Sequence, residues 1–82
     1  MDDLEALLAR IPEGWSRTTY DGRRWGVSRT TGVGGRVERV YAEELGGSDV
    51  VSANVYRVGP EAVLKPCEMP AEKVLAFLRG AG

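Results

Sequence analysis

The sequence predicts a single α+β domain, residues 1–82, in which an antiparallel meander sheet of 4–5 strands carries an N-terminal and a C-terminal helix on one face. Three observations lead to this fold class. Helical periodicity of apolar residues is confined to the two ends of the chain. An Asp21-Gly22 turn signal joins two segments rich in Trp, Thr, Tyr and Val, and further short alternating runs follow between Gly- and Pro-containing turns.

An amphipathic helix is predicted over residues 2–11. Its apolar positions have the i, i+3, i+4, i+7 spacing of one helix face and are Leu4, Leu7, Leu8 and Ile11. Asp2 and Glu5 resemble a capping box, which places two carboxylates at the positive end of the helix dipole. Pro12 then ends the helix.

A β-hairpin is predicted over residues 15–20 and 23–30, because Asp21-Gly22 is a favoured two-residue turn. Such a short loop fixes the register, so that Tyr20 faces Arg23. The predicted core face carries Tyr20, Trp25 and Val27. The predicted solvent face carries Arg17, Thr19, Arg24 and Ser28. A slip of one residue would exchange these two faces, since side chains alternate along a strand.

Three more strands and a second helix complete the predicted order α-β-β-β-β-β-α. They are predicted over residues 36–45, 50–58, 62–65 and 70–79. The alternation in the first of these strands is imperfect, and either a bulge or a strand with two partly buried faces would explain it. Pro70 suits the first turn of the helix, and Gly80 is predicted as its C-terminal cap. Short turns favour a meander with both helices on one face.

Composition restricts the chemistry that the chain can perform. It has no histidine and a single cysteine, Cys67. Ser-His and Cys-His nucleophile pairs, histidine zinc sites and an internal disulfide are therefore excluded. No spaced carboxylate motif indicates another metal site, so we expect neither a metal nor a cofactor. No apolar run approaches the roughly 20 residues that cross a bilayer, and the start is acidic, so we expect a cytoplasmic protein that does not bind membranes.

An arginine pair on the solvent face of the hairpin is the main candidate binding site. In the predicted register Arg17 and Arg24 are diagonal neighbours, and Trp15 lies on the same face. Like charges side by side are mildly costly, and an anionic ligand, an acidic partner protein or single-stranded nucleic acid would offset that cost. The alternative is a solvated face on which Glu43 or Glu44 neutralises the arginines. The net charge of −1 disfavours nucleic acid.

Two further features have competing explanations. Gly32, Gly34 and Gly35 lie between two strands and lack the Gly-Lys-Ser/Thr sequence of a phosphate-binding loop, which indicates a turn. The first and fifth strands are the predicted sheet edges. A homodimer through an edge, or through the open sheet face, would add the burial that a small domain lacks.

Several segments resemble, as a set, one family of small proteins. They are GWS at 14–16, TTYDGR at 18–23, VYAEELGG at 40–47, SANVY at 52–56 and LKPCEMPAEKV at 64–74. The chain resembles a family of small, uncharacterised bacterial proteins, some of which are labelled peptide methionine sulfoxide reductase. The resemblance implies Cys67 as the nucleophile, with an external thiol as reductant. The Gly-Cys-Phe-Trp-Gly motif of established A-type reductases is absent.

Cys67 also has a purely structural explanation, as a small half-buried residue where strand changes to helix. The sequence therefore favours a non-enzymatic binding or interaction module that uses Trp15, Arg17 and Arg24 on the open sheet face. The alternatives are a thiol-dependent reductase that uses Cys67 and a protein that binds single-stranded nucleic acid.

Overall fold

The computed structural model describes residues 3–81 and confirms the predicted α+β meander. The elements are α1 (Leu4–Ala9), β1 (Gly14–Tyr20), β2 (Arg23–Gly32), β3 (Val37–Glu44), β4 (Val50–Val58), β5 (Glu61–Pro66) and α2 (Ala71–Gly80). The strands form one antiparallel sheet in the order β1-β2-β3-β4-β5. Apolar residues of both helices share one core with the inward face of the sheet. Neither helix in the described part of the chain is long and apolar enough to cross a membrane.

The β1–β2 hairpin has the predicted register, with Tyr20 opposite Arg23. Asp21 and Gly22 both have positive φ, 54° and 73°. This is the conformation of a type I′ turn, whose twist matches that of the two strands. Trp25 is therefore buried, and Tyr20 packs against it with their ring centroids 5.9 Å apart.

β3 has two partly buried faces and no bulge, which decides between the two explanations of its sequence pattern. Its pairing with β2 and with β4 is continuous. Val40 and Ala42 are buried in the core, whereas Val37 and Tyr41 are half-buried on the opposite face of the sheet.

The helix ends differ from the predicted ones. α1 stops at Ala9, and its N-cap is Asp3, whose carboxylate accepts a hydrogen bond from the Glu5 N–H at 3.0 Å. The predicted capping residue Asp2 lies outside the described residues. Pro70 is the N-cap of α2 and not its first helical residue.

Gly80 is the last residue of α2 and not its cap, a position that Ala81 takes. The reason for a glycine here is the ring of Tyr20. A Cβ on Gly80 would lie 2.8 Å from two ring carbons. Tyr20 in turn packs edge-on against Phe77 of α2, with ring centroids 5.1 Å apart.

A buried ion network ties α1 to the sheet. Glu38 is only 2% exposed, and it accepts hydrogen bonds from Arg29 Nε at 2.6 Å and from Arg57. Arg29 also donates to the carbonyl of Ile11 at 2.7 Å, and Arg57 binds the Glu5 carboxylate of α1. Burial alone would raise the pKa of Glu38, but the two guanidinium groups outweigh burial and hold that pKa below its ordinary value. Glu38 therefore serves as an ionised clamp.

Candidate functional site

The sheet face opposite the helices carries the predicted binding residues. Trp15, Arg17 and Arg24 all point to this open face and are exposed, Trp15 to 58%. Arg17 lies opposite Gly26, and Thr19 lies opposite Arg24. The two arginines are therefore diagonal neighbours, as the turn predicts.

The indole ring of Trp15 packs over Gly26. A Cβ on Gly26 would lie 3.3 Å from the indole atoms Cζ2 and Nε1, and 3.4 Å from Cδ2 of Leu45. The missing side chain thus lets the indole lie across β2 at Gly26, a glycine that Leu45 also approaches. The guanidinium carbon of Arg17 lies 5.6 Å from the indole centroid, in the range of a cation–π interaction. We call Trp15, Arg17, Arg24, Gly26 and Leu45 the arginine platform.

The arginines of the platform have no carboxylate partner within residues 3–81. Glu44 pairs with Arg23, at 3.6 Å. Glu43 lies on the open face opposite Gly26, but it forms no ion pair with Arg17 or Arg24. In the described part of the chain, neither glutamate therefore forms an ion pair with Arg17 or Arg24, and the solvated face stays an alternative.

An open depression of about 590 Å³ lies at the hairpin end of the platform. Its lining includes Arg17, Arg23 and Arg24 and a single carboxylate, that of Glu44. Arg23 pairs with Glu44, which leaves the guanidinium groups of Arg17 and Arg24 to present their N–H donors to a carboxylate or phosphate.

The far side of the open face holds residues that sequence reasoning did not single out. The pairing aligns Thr30, Arg39, Asn54 and Lys65 in one row across four strands. Tyr56 is 39% exposed in the next row. Arg39 shares its parity in β3 with Val37 and Tyr41. Because the alternation of apolar residues in β3 is imperfect, this parity did not indicate from the sequence which face of the sheet Arg39 occupies.

Cys67 lies at the opposite edge of the sheet from the arginine platform. It is half-buried, and its N–H donates to the carbonyl of Ser52 at 3.0 Å. The register connects Trp15 to Ser52 through Ser28 and Tyr41, so Cys67 is about 19 Å from Trp15 at the usual strand spacing. The structure thus does not bring the thiol and the platform together, and catalysis by Cys67 stays a prediction. No three His, Cys, Asp or Glu residues of the described part are placed to hold a metal ion.

Comparison with protein-family models, with curated proteins and with solved structures gives no match to this chain. The resemblance to the small bacterial family therefore stays a prediction.

Proposed function

We propose that the protein is a non-enzymatic binding module whose arginine platform binds an acidic segment of a partner protein. The observation that supports this most is the uncompensated pair Arg17 and Arg24 beside the seated indole of Trp15. A carboxylate between the two guanidinium groups would relieve their repulsion and form charge-assisted hydrogen bonds. Tryptophan and arginine are also the side chains that most often dominate the binding energy of protein interfaces.

Single-stranded nucleic acid is the second ligand that aromatic and arginine side chains on an open sheet would suit. Such a ligand follows a continuous cationic path along several phosphates. Here the exposed carboxylate of Glu43 lies on the same face, in the row of Arg17, where it would repel a phosphate backbone. The net charge of −1 adds to that repulsion. A short run of carboxylates that reaches only Arg17 and Arg24 avoids most of this repulsion, whereas a nucleic-acid strand carries a phosphate at every nucleotide along the face.

An NMR titration of isotope-labelled protein with a short oligo-glutamate peptide tests the proposal. We expect amide shifts to gather at Trp15, Arg17, Arg24 and Gly26. The variants Arg17→Glu and Arg24→Glu should each weaken binding roughly tenfold, near the lower end of what hydrogen bonds to charged groups contribute.

Arg36→Glu is the matched control, because it makes the same change of charge at an exposed arginine. Arg36 directly precedes β3 and forms no ion pair within residues 3–81. It is about 23 Å along β3 from the row of Arg17. An equal loss of affinity in this control, or tighter binding of a single-stranded oligonucleotide than of oligo-glutamate, would contradict the proposal.

A further inference from the structure

The outer edge of β1, on the side away from β2, borders a groove of about 540 Å³. Four consecutive residues of the strand, 16–19, line it. Successive side chains of a strand point to opposite faces, so a groove that touches all four must run along the strand's edge. The wall on the helix side of the groove is mainly apolar and consists of Ile11, Pro12, Val27 and Ala81, with Arg10 beside them.

Unpaired backbone groups of β1 face this groove. Among the strands of residues 3–81, β1 is the first in the sheet order and has a neighbouring strand on one side only. In a hairpin with a two-residue loop, the two residues that flank the loop exchange both backbone hydrogen bonds, and here these are Tyr20 and Arg23. Hydrogen-bonded and non-hydrogen-bonded pairs then alternate along the strands, and the residues of the non-hydrogen-bonded pairs direct their N–H and C=O groups away from the partner strand. The outward-pointing residues of β1 are Trp15, Arg17 and Thr19. A hydrogen bond of Arg24, which pairs with Thr19, confirms this alternation. The Arg24 carbonyl points away from β1, since it accepts a hydrogen bond from Leu45 N–H at 2.8 Å on the other side of β2.

Arg10 holds the far wall of the groove in place. Its guanidinium group donates to the carbonyl of Arg79 at 3.2 Å and to that of Ala81 at 3.0 Å. These bonds fix the end of α2 against the end of α1, and Ala81 is itself buried. The groove is therefore preformed, which lowers the entropic cost of filling it.

We propose that the acidic partner binds as an additional strand beside β1, an inference that rests on the proposed function. The backbone of the partner segment bonds to the outward-pointing groups of Trp15, Arg17 and Thr19. Its side chains then alternate between two environments. One set lies in the apolar groove on the helix side, and the other lies on the open face beside Arg17. The recognised sequence is therefore an alternation of apolar residues with Asp or Glu.

A second copy of this chain fits the same edge less well. β1 contains no Asp or Glu, so pairing two β1 strands would give Arg17 no carboxylate. Antiparallel pairing would also bring the Arg17 side chains of both copies close to each other, which is destabilising. Charge complementarity thus selects an acidic segment over self-association.

Two peptides of identical composition test the mode of binding. One alternates glutamate with valine, and the other places the glutamates in one block and the valines in a second block. We expect the alternating peptide to bind at least tenfold more tightly. Walking a single N-methyl group along its backbone should give losses with a period of two, because only every second N–H faces β1. Hydrogen exchange at the amides of Trp15, Arg17 and Thr19 should slow when it binds.

A variant of the protein tests the same backbone hydrogen bonds between β1 and the peptide. Thr19→Pro removes one edge N–H while leaving the hydrogen bonds between β1 and β2 in place, since proline is tolerated where a strand's N–H faces outward. It should weaken the alternating peptide but not oligo-glutamate bound at the platform. Should this variant fail to fold, the N-methyl series decides the question alone.

The outcomes separate the two proposals. Equal binding of both peptides and no period in the N-methyl series would overturn strand addition, while sensitivity to Arg17→Glu would still support the platform. Absence of binding by every acidic peptide would overturn both proposals. Concentration-dependent dimers with protected β1 amides in the absence of peptide would assign the edge to a second copy and overturn the inference.

Discussion

Replacing Glu38 by alanine removes the carboxylate that two guanidinium groups share. Glu38 is 2% exposed, and its partners Arg29 and Arg57 keep side-chain exposures of only 19% and 24%. Removing one partner of a buried ion pair costs about 3–5 kcal/mol, because the remaining charges lose their compensation. A chain of this length has a free energy of unfolding of about 4–12 kcal/mol. We therefore expect the substitution to remove a large share of the total stability.

Urea unfolding followed by circular dichroism measures this loss. Glu43→Ala is the matched control, since Glu43 lies on the same strand but is exposed and forms no ion pair among residues 3–81. The control should change the free energy of unfolding by less than about 0.5 kcal/mol. A loss below about 1 kcal/mol for Glu38→Ala, or equal losses in both variants, would refute the clamp.

Three other predictions concern the Glu38 network, the end of α2 and the arginine platform. The lowered pKa of Glu38 means that its stabilising effect is fully present above the ordinary value of 4.5 and is lost as pH falls through the lower native value. The urea concentration at the unfolding midpoint of the wild type should therefore decrease as the pH is lowered below about 4.5. The same midpoint should decrease less steeply in Glu38→Ala. Gly80→Ala should destabilise by about 1–3 kcal/mol through its clash with Tyr20, despite the better helix propensity of alanine; a raised melting temperature would contradict this. Gly26→Val should unseat Trp15, shift its indole N–H resonance and weaken oligo-glutamate binding, and an unchanged resonance would count against the platform.

The hairpin and the placement of Trp15, Arg17 and Arg24 on one face could be predicted because they depend on local geometry. Asp21-Gly22 sets the turn, the turn sets the register, and the period of two then assigns Trp15, Arg17 and Arg24 to one face. No long-range information enters this chain of inference. The meander order followed equally directly from the short connections between strands.

The ion network could not be predicted from the same patterns. A glutamate within a strand is usually solvent-facing, and the only contrary signal for Glu38 was its shared parity with Val40 and Ala42. Its partners Arg29 and Arg57 come from two other strands, so the network exists only after the sheet has formed. Long-range packing, rather than local propensity, decides such sites.

The role of Gly80 and the groove beside β1 also depend on long-range packing and could not be predicted from the sequence. A glycine near a helix end usually indicates a cap, and only the approach of Tyr20 across the core shows its other role. The groove beside β1 depends on where Ala81 and Arg10 come to lie, at opposite ends of the chain. The sequence indicates an edge strand there, but it does not indicate the apolar wall next to it.

The titration of labelled protein with the alternating glutamate–valine peptide tests the central claim most directly. We predict amide shifts at Trp15, Gly26 and Arg24. The double variant Arg17→Glu, Arg24→Glu should show none of these shifts, while its core residues keep the resonances of the folded protein. Shifts that gather instead around Cys67 at the other edge of the sheet, or that persist undiminished in the double variant, would contradict the account.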